Sequence, residues 1–225
     1  MIGLGLHSHF SLMRGTASPR ALCRAAKHKG YTTLALTDTG NLYGLWPFLA
    51  ACEEEGMTPI IGAEIRTGAY RLFCLANNLN GYRNLCRLLT ARHCDPAFDL
   101  AHSLESLHPG LVLLATDTDL LQRCREIGAD VAAALIDRPN QRNSELRRQA
   151  RSLGVPAVAV QDSFVLSPDD APLRRLLRAI DSNSSLCRLA EKETRVPLLP
   201  VAQEWQQRFE LWPECLHAAA VIAER

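Results

Sequence analysis

The chain has 225 residues, 47% hydrophobic and 22% charged, with 25 Lys+Arg against 24 Asp+Glu. So even a charge balance excludes a disordered polyelectrolyte and a generally basic nucleic-acid coat, while the apolar share is ample for one large core. No apolar stretch reaches membrane-span length, Met1 opens no signal-peptide pattern, and the eight scattered Cys lack any CxxC pair, so a cytoplasmic, globular chain without membrane partners is expected.

Short apolar runs alternate with helix-period segments along most of the length. The first run, Ile2–Leu6, precedes a helix signal that opens at Ser18-Pro19 and stops at Gly30. Thr33–Thr37 follows, then a helix from Gly44 to Gly56, then the runs Pro59–Ile65 and Tyr70–Ala76. A helix over Asn80–His93 leads to the run Leu111–Ala115, a helix over Asp117–Gly128 to Val131–Ile136, and a helix over Ser144–Gly154 to Ala157–Val160. The runs are apolar on both faces, which predicts parallel strands covered on both sides. Beyond Ser167 only helices are expected, over Asp169–Ile180, Val201–Leu211 and Glu214–Arg225, and the chain stops inside helical sequence, as an excised fragment would. The order favours a β/α barrel over an open sheet. Polar residues cluster just after several strands, and neither GxGxxG nor a P-loop is present.

Those strand ends carry the chemistry. His7 and His9 close the first run, and i, i+2 positions of a strand share a side, so both imidazoles can reach one cation. Asp38 ends the second run, Glu64 the third, Asp117 the fifth and Asp162 the seventh. Carboxylates at the carboxyl ends of parallel strands face one mouth, and a ring of like charges there usually implies a cation, a compensating Arg or raised pKa values. Helix capping is the plainer role for Asp38 and Asp117. Asn41 and Gly44 set the turn into the second helix. Trp46, Trp205 and Trp212 read as packing anchors, and the Arg142–Arg151 and Arg174–Arg178 stretches as solvated helix faces or, less readily, DNA-backbone contacts.

His7-Ser-His9-Phe-Ser-Leu-Met-Arg-Gly resembles the opening motif of the PHP (polymerase and histidinol phosphatase) superfamily. Leu36-Thr-Asp38-Thr-Gly-Asn41-Leu-Tyr-Gly44 resembles its second motif, and Pro59-Ile-Ile-Gly-Ala-Glu64 its third. Leu75-Ala-Asn, Asn80-Gly-Tyr-Arg-Asn-Leu, Leu153-Gly-Val-Pro-Ala-Val-Ala-Val-Gln-Asp162, Ser167-Pro-Asp-Asp-Ala and the closing Phe209…Pro213-Glu-Cys-Leu…Ile222-Ala are similar to the N-terminal PHP domain of bacterial DNA polymerase III alpha subunits. Arg14 is similar to the error-prone branch. The resemblance spans almost the whole chain. It implies a distorted (β/α)7 barrel over residues 1–199, with a helical extension over 200–225 that packs on the barrel or leads to a polymerase palm.

In metal-competent members of the family, three zinc, manganese or iron ions at the strand ends serve phosphoester hydrolysis. The ligand places fall on His7, His9, Arg14, Thr39, Glu64, Arg71, Asp117, Asp162 and Phe164. Arg14 stands where Asp is usual, Thr39, Arg71 and Phe164 where His is usual, and Asp117 where Cys or His is usual. Phe164 donates nothing, Thr39 little, and guanidiniums never deprotonate in proteins. The expectation is therefore no trinuclear cluster, at most one divalent ion (Zn, Mn or Fe) on His7, His9, Glu64 and Asp162 with Asp117 as a further candidate, and Arg14 and Arg71 pairing carboxylates or holding a phosphate. The leading functional reading is a structural and interaction domain in DNA replication or repair. Its partners would be polymerase palm and thumb domains in cis or other replisome proteins, with DNA a weaker partner for the domain alone. The alternative is a metal-dependent 3′-5′ exonuclease or phosphatase.

Overall fold

The structure is a computed structural model and describes residues 1–68, 70–189 and 196–225. Seven strands, β1 (Ile2–Leu6), β2 (Thr33–Leu36), β3 (Thr58–Arg66), β4 (Arg71–Ala76), β5 (Leu111–Ala115), β6 (Asp130–Ile136) and β7 (Ala157–Val160), lie side by side in sequence order. All seven apolar runs are strands, with bounds shifted by at most a residue or so. The expectation of parallel pairing holds for β1–β2–β3 and β5–β6–β7 but fails at β4, which runs antiparallel to both neighbours. The reason is length: the segment between Arg66 and Arg71 is a hairpin loop, far too short for a crossover connection. Arg66 and Arg71 therefore face each other across the hairpin, and the first residue of β4 sits at the same end as the last residues of the parallel strands.

The sheet curls into a nearly closed, distorted barrel. Residues just after β7 close it onto β1: Gln161 N–H donates to Leu4 O (3.1 Å), Ser163 N–H to Gly5 O (3.0 Å), and His7 N–H to Ser163 O (3.0 Å). The Gln161 amide completes the seam from the side, accepting from Leu4 N–H (2.8 Å) and donating to Ile2 O (3.0 Å). Gly5 is required here, since its φ is +75° and a Cβ would lie 2.5 Å from Val160 Cγ1. Inside the barrel, Leu4, Ala35, Phe73, Leu75, Leu114, Ala134 and Val160 form one cluster. A second cluster lies between strands and outer helices, which is why both faces of the strands are apolar.

The helices are α1 (Pro19–His28), α2 (Leu45–Glu55), α3 (Leu79–Cys94), α4 (Leu100–Leu107), α5 (Thr118–Glu126), α6 (Gln141–Leu153), α7 (Ala171–Asp181), α8 (Ala202–Arg208) and α9 (Pro213–Ala223). Helix α4 has no counterpart in the sequence reading: it is short and buries only Leu100 and Leu104, too few positions to show a period. Helix α6 starts earlier than Ser144 because the Asn140 side chain caps it at Asn143 N–H. Trp205 and Phe209 are buried in the outer cluster beside Leu146 and Ala159, and Ala219 and Ile222 of α9 join the inner one. Trp46, by contrast, is 75% exposed and anchors nothing. Helix α7 also departs from expectation: Arg174 and Arg178 are buried while Leu173, Leu176 and Ile180 face out. Among the described residues no helix is long and apolar enough to cross a membrane.

Gln161→Ala strips two partners from the buried seam, and each orphaned backbone group costs about 1–3 kcal/mol. The urea midpoint should fall by an amount equivalent to about 2–4 kcal/mol; an unchanged midpoint would show that the backbone bonds alone close the barrel.

Candidate functional site

At the mouth, β1 ends with Leu6 and His7 follows it directly. The imidazole is buried, stacked on Phe164 with ring centroids 3.8 Å apart and planes 2° from parallel. Its Nδ1 lies 3.2 Å from Ser11 Oγ. The Ser11 hydroxyl already gives its one proton to Asp38 Oδ1 (2.7 Å) and accepts from Thr39 N–H (3.0 Å), so the His7 contact is Nδ1–H donating to Ser11. Nε2 points into the mouth, 3.4 Å from Asp162 Oδ1, and makes no hydrogen bond among the described residues.

Asp38 does not face the mouth. It is buried behind the first loop, accepting Ser8 N–H and Ser8 Oγ–H at 2.7 Å each as well as Ser11. Gly44 lets the second loop close on it, because a Cβ there would come 2.8 Å from Asp38 Oδ2. Asn41 ties the same two loops together, donating to Phe10 O (2.8 Å) and Thr39 O (3.1 Å) and accepting from Tyr43 N–H (3.0 Å). Both residues orient the loop that carries His7.

Glu64, on β3, is fully buried. Its Oε2 accepts from Thr39 Oγ1 (2.7 Å) and Arg66 Nε (2.7 Å), and its Oε1 accepts from Arg71 Nε. The same guanidinium grips Asp162 with both terminal nitrogens, Nη1 to Oδ2 at 2.9 Å and Nη2 to Oδ1, and lies over the Phe73 ring at 4.8 Å. Asp162 reaches this position through a left-handed backbone conformation, φ +54°, just past β7. Burial by itself would raise the Glu64 carboxyl, but Arg71, His7 and Arg66 outweigh it and hold the group down at about 2. Burial opposes ionisation of Asp162 as well, and Arg71 and His7 again win, keeping it well below the usual carboxylate range. Arg71 moves the other way: its two carboxylates more than offset burial and raise it.

His7, Glu64 and Asp162 each offer a ligand atom within 4.8 Å of the others, a set close enough to hold one metal ion. The remaining candidates lie elsewhere. His9 is exposed and packs edge-on against Phe10 at 4.4 Å. Since β1 ends at Leu6, strand alternation never applied to the pair His7–His9. Asp117 caps α5, accepting from Leu120 N–H (2.9 Å), and burial raises it. Arg14 sits on the opposite rim, 3.7 Å from Asp181, with burial and the neighbouring Arg66 and Arg178 charges lowering it. Arg71, fully engaged by two carboxylates, is not free to take a phosphate. Arg174 donates to Arg14 O (2.7 Å) and lies over the Phe164 ring at 5.0 Å, bracing the stack from above the cleft. The cleft measures about 690 Å³ and is bounded by Arg14, Arg66, Arg71, Asp162, Phe164 and Arg174, among others. Arg66 is the site residue that sequence reasoning passed over. Its signal was available, because it stands two residues beyond Glu64 on the same face of one strand.

Comparison with known proteins agrees with the fold. DNA polymerase III subunit alpha of Treponema pallidum is 27% identical over 268 aligned residues, covering 100% of this chain and 23% of the relative. The same subunit of Bacillus subtilis is 28% identical over 254, covering 100% and 23%. An error-prone DNA polymerase of Symbiobacterium thermophilum is 29% identical over 272, covering 100% and 25%. The chain thus spans about a quarter of the length of the curated relatives it matches. Among solved structures, a Bifidobacterium adolescentis protein described as a metal-dependent phosphoesterase has a TM-score of 0.54 at 14% identity, over 72% of this chain and 86% of its own. A two-domain Bacteroides vulgatus protein containing a PHP-like phosphoesterase has 0.55 at 12%, over 72% and 51%. These share the fold. The family model of the PHP domain matches residues 4–153, from β1 to the end of α6, and the chain belongs to that family.

Proposed function

We propose that this chain is the PHP portion of an alpha-type bacterial DNA polymerase acting in replication or repair, where it is a structural and interaction domain whose metal centre is replaced by Arg71. The observation that carries the reading is the Arg71 guanidinium bound at once to Glu64 and Asp162, the two carboxylates of the ligand set. Arg66 adds a second guanidinium on Glu64. Two carboxylates against two permanent cations leave no negative charge for a divalent ion to neutralise. The donors for a trinuclear cluster are missing as well: Thr39 spends its hydroxyl on Glu64, Phe164 covers the His7 ring, Arg14 is cationic, and His9 and Asp117 lie outside the mouth. The cluster does not fit these residues. The polymerase relatives, matched over their PHP portion only, support neighbouring palm and thumb domains in cis, or other replisome proteins, as partners. DNA contact by the isolated domain loses support, since Arg147 pairs with Glu214 and lies over Trp212, Arg142 donates to Thr116 O, and Arg174 and Arg178 are buried.

A second reading, a metal-dependent phosphoesterase, is favoured by one observation: the buried, unpaired Nε2 of His7 aimed at Asp162. Elemental analysis of protein purified without chelator decides between them. The expected content of Zn, Mn and Fe is well below one equivalent. Two or three equivalents, with phosphoesterase activity lost in His7→Ala, would replace the first reading by the second.

Removing Arg71 leaves Glu64 and Asp162 facing each other with one cation fewer, and breaking a buried pair costs about 3–5 kcal/mol. Arg71→Ala should lose that much stability in denaturant titrations. Millimolar Mn²⁺ or Zn²⁺ should then raise the melting temperature of the variant while leaving the wild type unmoved. An equal rise in both proteins would mean that the metal and the guanidinium do not compete.

The depressed carboxylates also fix the acid limb of stability. Their folded values lie below the unfolded ones of about 4, so the stabilisation is complete above that pH and drains away as pH falls toward 2. The melting temperature of the wild type should drop steeply between about pH 4.5 and 2, and the slope should be distinctly shallower in Arg71→Ala.

A further inference from the structure

Eight cysteines stand in this chain, and the reading above uses none of them. Two are in contact. Cys23 of α1 and Cys52 of α2 place their sulfurs 3.7 Å apart, both fully buried among Leu22, Ala26, Phe48 and Ala51. The helices that carry them are held face to face by two further cross-links at the surface, Arg20 to Glu54 (2.5 Å) and Arg24 to Glu55 (3.4 Å). A disulfide needs an S–S separation of about 2.0 Å. The sulfurs already touch, so bond formation asks for side-chain rotation and a small closing of the helices rather than rearrangement of the fold.

We propose that Cys23 and Cys52 are a peroxide-modifiable thiol pair that forms a disulfide within the folded domain and staples α1 to α2. Either sulfur can donate its S–H to the other, so either can react first. One of the two, as thiolate, attacks one oxygen of hydrogen peroxide. The O–O bond breaks, hydroxide departs, and that cysteine becomes a sulfenic acid. The other then attacks the oxidised sulfur as its own proton passes to the departing hydroxide, so the S–O bond breaks, the S–S bond forms and water leaves. The peroxide supplies the two oxidising equivalents. The apolar surroundings make the first step slow, and they also keep larger disulfide reagents away from either sulfur.

The test uses the full chain carrying Cys94→Ala and Cys187→Ala, which removes the two exposed thiols. Folded protein is treated with hydrogen peroxide, quenched, alkylated, digested and analysed by mass spectrometry. The expected result is a monomer lighter by two hydrogens, a peptide pair linked through Cys23 and Cys52, and a melting temperature raised by roughly 10 °C, as closure of a loop of this length gives. In Cys23→Ala and in Cys52→Ala the resolving thiol is gone, so the remaining sulfur should stop at the sulfenic acid and be captured by dimedone added with the denaturing quench. The proposal is overturned if, in the protein retaining both thiols, the linked pair appears only when denaturant is added before peroxide, or if peroxide carries one of the two to sulfinic acid while the other stays reduced.

Discussion

The mouth of this barrel depends on one guanidinium. Glu64 is fully buried and Asp162 partly so, and two carboxylates in that environment repel each other and favour protonation. Arg71 reverses the sign by reaching both, and its planar fork suits the task because one edge meets Glu64 while the end grips Asp162 in a bidentate pair. The residue is available only because β4 runs antiparallel: in an all-parallel barrel the first residue of a strand would sit at the opposite end from the catalytic mouth. A departure from regular barrel topology thus delivers the cation.

Much of this was legible in the sequence. Seven apolar runs gave seven strands because a strand buried on both faces must be apolar along its whole length, and the flanking Pro and Gly marked most helix ends. Arg71 as a counter-charge to Glu64, Asp117 or Asp162 followed from the family resemblance that places it at the mouth, together with the permanent charge of a guanidinium. What stayed hidden was geometry beyond the local period. His9 required knowing that β1 stops at Leu6. Asp117 served equally well as helix cap or ligand until its loop was placed. Trp46 and the inside-out helix α7 defeat any rule that puts apolar side chains inward, because α7 packs against a polar mouth rather than against a core.

That inversion has a physical cause. The cleft floor carries an aromatic ring, Phe164, stacked on His7, and the ring's exposed face is a favourable seat for a cation. Arg174 takes the seat, and its Nη1 fixes the backbone of the first loop at Arg14. A helix whose inward face is arginine must turn its leucines outward. Phe164, which offers no metal donor, is therefore also the seat of a helix, and Arg14, Phe164 and Arg174 act as one packed group.

Two kinds of cross-link can hold such a mouth together. A metal cluster joins strands through ions that must be acquired and can be removed. Here the strands are joined by groups covalently part of the chain: Arg71 links β3 and β4 to the end of β7, Ser163 and Gln161 close β7 onto β1, and the Asp38 network locks the first loop to the second. Each link is a charge-assisted or fully buried hydrogen bond, the class that loses most when a partner is deleted. Among the described residues, His7 Nε2 is the buried side-chain nitrogen left without a hydrogen bond. It lies within ligand distance of two carboxylates, and the guanidinium that bridges them is what an ion would have to displace, so the capacity of the mouth for a metal turns on a single side chain.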